Sequence, residues 1–292
     1  MRHCVSRPAR AQTGCENQMT TAERVTINLD NGVAQVRLNR PDKMNALDNA
    51  MFQALLGAAD KLRRDRSVRA VVVAGEGKAF CAGLDMQSFQ RMQEGAGVNA
   101  DAAFPFDRGL MQRTFGNANA FQQVAMMWRD IPVPVIAAVH GVAFGGGLQI
   151  ALGADIRLIA ADARMSVMEM KWGLVPDMGG ILLMRELARH DVVRELTFSG
   201  RQFSGEEAVR IGFATRVEAE PLAAATALAR QIAQQSPDAV RAAKRLLNLS
   251  LHADPAAVLQ AESLEQERLV GSASQVEAVM ANMEKRLPRF RD

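Results

Sequence analysis

The sequence predicts an α/β core, layered or spiral, followed by an all-helical C-terminal region. Three observations carry this reading. Short apolar runs alternate with helical spacings in the earlier part of the chain, and glycine-bearing turns close two of those runs. Beyond Ser204 the strand-like runs give way to segments rich in Ala, Leu and Gln.

Taken in order, Val25-Thr-Ile-Asn-Leu29 and Val33-Ala-Gln-Val-Arg-Leu38 are short, β-branched and partly alternating, and they flank Asp30-Asn31-Gly32. Asn-Gly favours a tight hairpin turn, so a hairpin opens the fold. Pro41 ends extended pairing, and Leu47, Met51, Leu55, Ala58, Ala59 and Leu62 then recur at the spacing of one helical face. Ala70-Val-Val-Val-Ala74, an unbroken apolar run after that helix, reads as a strand covered on both faces and hence as part of a βαβ unit. The order recurs with a strand over Val133–Val139, a helix beginning in Gly145-Gly146-Gly147 and a strand over Asp155–Ile159. Residues Gln87 to Asn119 include Gly95-Ala-Gly97 and Phe104-Pro105-Phe106; their length and apolar content suggest a flap, with a surface loop and helix as the plainer reading.

From Ser204 onward, Ser204-Gly-Glu-Glu207 and Ser272-Ala-Ser-Gln275 have the spacing of capping boxes, and Pro221, Pro237 and Pro255 mark further helix starts. The chain thus divides into an unstructured extension over residues 1–20, an α/β core over 21–203 and a helical region over 204–292. The last of these packs on the core or on a neighbouring subunit.

Composition narrows the function. With 292 residues, 48% hydrophobic and 23% charged, the chain can bury one large core or two modest ones and is not disordered as a whole. Its longest apolar run, Ile131 to Ala143, is broken by Pro132, Pro134, His140 and Gly141, well short of the roughly 18 residues of a membrane span. Cys4, Cys15 and Cys81 are odd in number and lack metal-ligand spacing, so neither a disulfide framework nor a metal centre is expected, and a cytoplasmic setting fits. A net charge of +3 with dispersed basic residues and no basic-aromatic cluster gives no reason to expect a nucleic-acid partner. The leader Met1 to Gln18 is acid-poor and Arg-containing; an unstructured extension suits its weak amphipathicity better than a transit peptide does.

The chemistry concentrates in two turns. Ala79-Phe-Cys-Ala-Gly-Leu-Asp-Met86 follows one apolar strand, and Gly141-Val-Ala-Phe-Gly-Gly-Gly147 follows another. Glycine exposes backbone N–H groups and a helix start adds partial positive charge, so two such amides aimed at one point make an oxyanion hole. A thioester that loses its α-proton becomes an enolate, whose oxygen needs such donors, each worth roughly 10²- to 10³-fold in rate.

Together with Asn39-Arg-Pro-Asp-Lys-Met-Asn-Ala-Leu47, Val139-His-Gly-Val-Ala-Phe-Gly-Gly-Gly-Leu-Gln149, Ala154-Asp-Ile-Arg157, Trp172-Gly-Leu-Val-Pro-Asp-Met-Gly-Gly180 and Phe203-Ser-Gly-Glu-Glu-Ala208, these turns closely resemble the crotonase (enoyl-CoA hydratase/isomerase) superfamily from about Val25 to about Arg289. The resemblance implies a spiral of ββα units, a helical C-terminal region that builds trimers or hexamers, and an acyl-CoA thioester as substrate, with no cofactor beyond its coenzyme A moiety. It assigns the oxyanion amides to Leu84 and Gly146, and contacts with coenzyme A to Lys43, Ala46, Ala82, Gly83, Asp85 and Met86.

The acid/base positions it implies are Gln149, Glu169 and Asp177. Hydratases of the family carry glutamates at the positions of Gln149 and Glu169, but an amide cannot take a proton near neutral pH. Single-carboxylate enoyl-CoA isomerases match Glu169, and dienoyl-CoA isomerases place acids at all three positions, of which this chain keeps Glu169 and Asp177. Double-bond isomerisation is therefore the expected reaction, hydration its competitor, and a catalytically degraded acyl-CoA-binding protein the alternative. Asp177 could instead cap a helix, Asp85 is expected to cap the helix that follows it, His140 to be a hydrogen-bonded turn residue and Cys81 a small packed one.

Overall fold

In the computed structural model, which describes residues 23–94 and 105–291, the chain opens as the expected hairpin. Strand β1 (Val25–Asp30) pairs antiparallel with β2 (Val33–Leu38), from Val25 opposite Leu38 to Asp30 opposite Val33. Asn31 and Gly32 take φ 49° and 80°, the left-handed pair that such a turn requires. A 3-10 turn, Pro41–Lys43, leads into α1 (Asn49–Arg64). Leu47 lies outside this helix because Asp48 is its N-cap, accepting from the Met51 N–H at 2.8 Å. Leu47 instead forms a parallel bridge with Leu84. Helix α1 buries the apolar stripe from Met51 to Leu62 and returns the chain to β3 (Ala70–Gly75), parallel to β2.

Next come α2 (Met86–Gln93) and α3 (Ala120–Asp130), the latter started by a reciprocal capping box between Asn119 and Gln122. Of the suggested flap, Phe106 is buried in the core, whereas Gly95, Gly97 and Phe104 lie outside the described residues, as do Cys4, Cys15 and the leader Met1 to Gln18. Strands β4 (Val135–Val139) and β5 (Val142–Phe144) precede α4 (Gly146–Gly153); β6 (Ile156–Ile159) and β7 (Arg164–Ser166) precede a 3-10 turn, Met168–Trp172. Then follow α5 (Gly180–Leu187), α6 (His190–Ser199), β8 (Phe203–Ser204), α7 (Gly205–Ile211) and β9 (Arg216–Val217). Helices α8 (Pro221–Ala233), α9 (Pro237–Ser250), α10 (Pro255–Leu269) and α11 (Ala273–Met283) complete the chain, the first three with proline in the first turn.

Two sheets result, in strand order β1-β2-β3-β4-β6-β9 and β5-β7-β8. Successive ββα units place their first strand (β4, β6) in the large sheet and their second (β5, β7) in the small one, and Cys81 after β3 extends the small sheet by a bridge to Ala143. Strands β3 and β4 are buried along their whole length because α1, α3 and α4 cover one face of the sheet while Ala225, Ala229 and Ala233 of α8 cover the other. The capping boxes expected at Ser204 and Ser272 form only by half. Each serine accepts from the N–H three residues on, but Glu207 pairs with Arg201 and Gln275 accepts from the Gly271 N–H. No helix among the described residues is long and apolar enough to cross a membrane.

Candidate active site

The ends of β3 and β5, the start of α4 and the turn before α5 enclose a cavity of about 700 Å³. Every residue that the resemblance assigns to catalysis or coenzyme A binding lines it: Lys43 and Ala46; Ala82, Gly83, Leu84, Asp85 and Met86; Gly146 and Gln149; Glu169 and Asp177.

The first wall is built from left-handed backbone. Met44 and Asn45 have φ 50° and 55°, and the fully buried Asn45 side chain holds them there. Its Oδ1 accepts from the Arg40 N–H at 2.8 Å, and its Nδ2 donates to the carbonyls of Glu76 and Ala79 at 3.0 and 2.8 Å. Asp85 accepts from the Gln87 N–H at 2.7 Å, as the expected helix cap, and from the Arg40 guanidinium. Burial pushes the Asp85 carboxyl up, but these donors outweigh it and hold the carboxyl below the usual range. Arg40 and Asn45 were not legible as site residues; their role appears only when the turn is seen folded against β3.

The two glycine turns meet. A Cβ on Gly83 would lie 2.6 Å from the Phe144 carbonyl oxygen and 3.6 Å from the Gly146 nitrogen, so the turns pass at backbone contact. The Leu47 N–H donates to Gly83 O at 2.8 Å and the Asp85 N–H to Leu47 O at 3.1 Å, which fixes the peptide on either side of Leu84. Among the described residues, neither the Leu84 nor the Gly146 N–H has an acceptor. Gly146 is also sterically required, since a Cβ there would meet Met178 Sδ at 2.8 Å and Leu47 Cδ1 at 2.9 Å.

Glu169 sits on the 3-10 turn Met168–Trp172, which Gly173 closes at φ 70°. Its Oε1 accepts from Gln149 Nε2 at 2.6 Å, and its Oε2 is buried without a hydrogen-bond partner. Burial pushes the Glu169 carboxyl above the usual carboxylate range, and the charge of Asp177 adds to this. Asp177, although exposed as a residue, has its carboxyl raised in the same direction by desolvation where it faces the cavity. It does not cap α5, whose N-cap is Gly179 at φ 83°. Gln149 Oε1 takes the helix-start amides instead, accepting from the N–H groups of Met178 and Gly180 at 2.8 and 2.9 Å.

The rest of the lining is mainly apolar, with Phe52, Phe121 and Phe144 within and Phe89 of α2 stacked on Trp172, centroids 4.4 Å apart. Phe52 lies on α1 and Phe121 on α3, and neither was singled out in the sequence. His140 is a turn residue whose ring bonds to the Gly77 carbonyl at 2.9 Å. Cys81 is fully buried, its thiol pushed up to about 12 by burial, which makes it a poor nucleophile.

This fold agrees with what is found among known proteins. The family model for enoyl-CoA hydratase/isomerase matches residues 28–292. The human enoyl-CoA hydratase domain-containing protein 2, mitochondrial, is 32% identical across 98% of this chain and 97% of its own length. The mouse Delta(3,5)-Delta(2,4)-dienoyl-CoA isomerase, mitochondrial, is 35% identical across 73% of this chain and 64% of its own length. The crystal structure of enoyl-CoA hydratase from Bacillus anthracis superposes with a TM-score of 0.79 at 26% identity, over 91% of this chain and 98% of that one. The chain belongs to the enoyl-CoA hydratase/isomerase family, within the crotonase superfamily, and has its α/β fold.

Proposed function

We propose that this protein isomerises the double bond of an enoyl- or dienoyl-CoA thioester. The observation that carries the reading is the 2.6 Å bond from Gln149 Nε2 to Glu169 Oε1. It places an amide, not a second acid, beside the glutamate, and that amide's oxygen is already taken by two backbone N–H groups. A pair of carboxylates to hold and activate water is absent at these positions, whereas one carboxylate suffices to carry a proton between two carbons of one substrate.

In this reading the thioester oxygen sits at the N–H groups of Leu84 and Gly146. Glu169 removes a proton from a carbon adjacent to the double bond, and the electron pair of that C–H bond delocalises onto the thioester oxygen. The enolate then collapses, taking the proton back at a different carbon, so the double bond moves and no atom is gained or lost. Asp177, whose carboxyl is also raised by desolvation, is the second acid available for a proton on the far side of a conjugated diene. Lys43, Ala46, Ala82, Gly83, Asp85 and Met86 surround the coenzyme A moiety. The C-terminal helices, whose exposed faces carry Leu247, Leu259, Val270 and Met283, assemble a trimer or a hexamer.

The test is Glu169→Gln. It keeps the side chain's shape but cannot accept a proton, so isomerisation should fall by at least about 10²-fold while binding of an acyl-CoA, followed by calorimetry, stays within about twofold. Retained turnover in the folded variant would remove Glu169 from the mechanism.

A further inference from the structure

We infer that Gln149 is a positioning residue that decides which oxygen of Glu169 exchanges protons: Oε1 is held permanently as an acceptor, and Oε2 is the oxygen that takes up and releases the proton. The inference rests on the isomerase reading only for the use made of that proton. The placement itself follows from donors and acceptors.

The Met178 and Gly180 N–H groups can only donate, and both point at one terminal atom of the Gln149 amide, at 2.8 and 2.9 Å. That atom must be the oxygen, which settles the orientation of the amide. The other terminal atom is therefore the NH₂ group, which has no lone pair to offer, and it lies 2.6 Å from Glu169 Oε1. Oε1 accepts there in either protonation state, and a carbonyl oxygen accepts better than a hydroxyl oxygen, so the proton on neutral Glu169 resides preferentially on Oε2. Oε2 is the oxygen buried without a partner among the described residues. The carboxylate is held close over the glycine turn, since a Cβ on Gly145 would lie 3.2 Å from Oε1 and 3.8 Å from Oε2. Gly180 is needed for the same reason, because a Cβ there would lie 2.5 Å from Gln149 Oε1.

The charged groups around Glu169 do not compete for this role. Helix α4, which carries Gln149, has no charged side chain. Asp177 precedes α5 and acts on Glu169 through its charge. In α5 itself, Glu186 pairs with Arg129 and Arg185 is exposed. Lys171, on the same 3-10 turn as Glu169, has Nζ 5.3 Å from the Trp172 ring centroid. On α6, which packs against this turn, His190, Asp191, Arg194 and Glu195 are all exposed.

Gln149→Glu separates positioning from mere capping of α5. A carboxylate at 149 still accepts from Met178 and Gly180, so α5 keeps its cap, but its second oxygen then faces Glu169 Oε1. Two acceptors so close share a proton, which moves it from Oε2 to the side of Oε1 and the carboxylate introduced at position 149. The readouts are the ¹³C NMR titration of the Glu169 carboxyl carbon, assigned by its absence in Glu169→Gln, and the pH profile of kcat. We expect the Glu169 midpoint in Gln149→Glu to rise by about one pH unit or more. The acid limb of kcat should move with it to higher pH, with KM nearly unchanged. A Glu169 midpoint equal to that of wild type would overturn the inference. Should the variant not fold, the wild-type protein still decides: the Gln149 side-chain NH₂ resonances should titrate with the Glu169 midpoint, and a pH-independent signal would sink the assignment. If wild type isomerises no thioester yet these titrations behave as described, the isomerase reading fails and the placement of the proton stands.

Discussion

Glu169 is a carboxylate whose surroundings favour its neutral form, and this has two consequences at the scale of the residue. As a base it must be ionised, so kcat/KM for isomerisation should fall on the acid side with a midpoint above the ordinary glutamate value of about 4.3. A midpoint at or below that value would mean that another group limits the reaction. The same shift has a sign for stability. Because the folded state binds this proton more tightly than the unfolded chain, the stability contributed is fully present below the unfolded pKa and is lost as pH rises through the folded pKa. Glu169→Gln removes the ionising group, so it should raise Tm by about 1–3 °C at pH 8 and by less at pH 4. Calorimetric melts at the two pH values check the order. Gln149, Glu169 and Asp177 were singled out in the sequence only through the resemblance of the surrounding motifs to the crotonase superfamily. The bonds of Gln149 to Met178 and Gly180 were not, since they join α4 to a turn about thirty residues on through packing that no local pattern encodes.

At the scale of the element, the site depends on what holds the sheet and helices in register. Lys244 of α9 is buried and donates to the carbonyls of Trp128 and Val133 and to Asp155 Oδ2, at 2.8, 2.9 and 2.7 Å. It ties the C-terminal helices to α3 and to the starts of β4 and β6. Lys244→Met leaves two carbonyls short of a donor and a carboxylate without its cation, and should destabilise the fold by about 3 kcal/mol or more. Adding Asp155→Asn should recover part of that loss, a non-additivity that a double-mutant cycle in denaturant measures. Independent, additive losses would show that the pair is not coupled. Helices α8, α9 and α10 were legible because proline occupies the first turn of each, and β3 because its apolar run is unbroken. The small sheet escaped notice because three residues, as in Val142–Phe144 or Arg164–Ser166, are too few to show a period.

At the scale of the whole molecule, α10 has no buried residue, and Leu247, Leu259, Val270 and Met283 are each more than 60% exposed. A helix with so little packing of its own is not stable in isolation and calls for a partner surface. Light scattering on the purified protein should accordingly give three or six chains per particle; a monodisperse single chain would contradict the assembly. The family's α/β core was legible as a class from alternating strands, helices and glycine turns, while the assembly proposed above rests on an excess of apolar helix surface. The claim that one carboxylate works here without a second beside it can be tested in a single competition. A mixture of 2-enoyl-, 3-enoyl- and 3,5-dienoyl-CoA thioesters is offered to the wild-type enzyme in heavy-oxygen water, and the products are identified by mass spectrometry. The fastest-forming product should be a positional isomer of unchanged mass, without solvent oxygen. A labelled hydroxyacyl-CoA formed fastest would show that the enzyme is a hydratase despite Gln149.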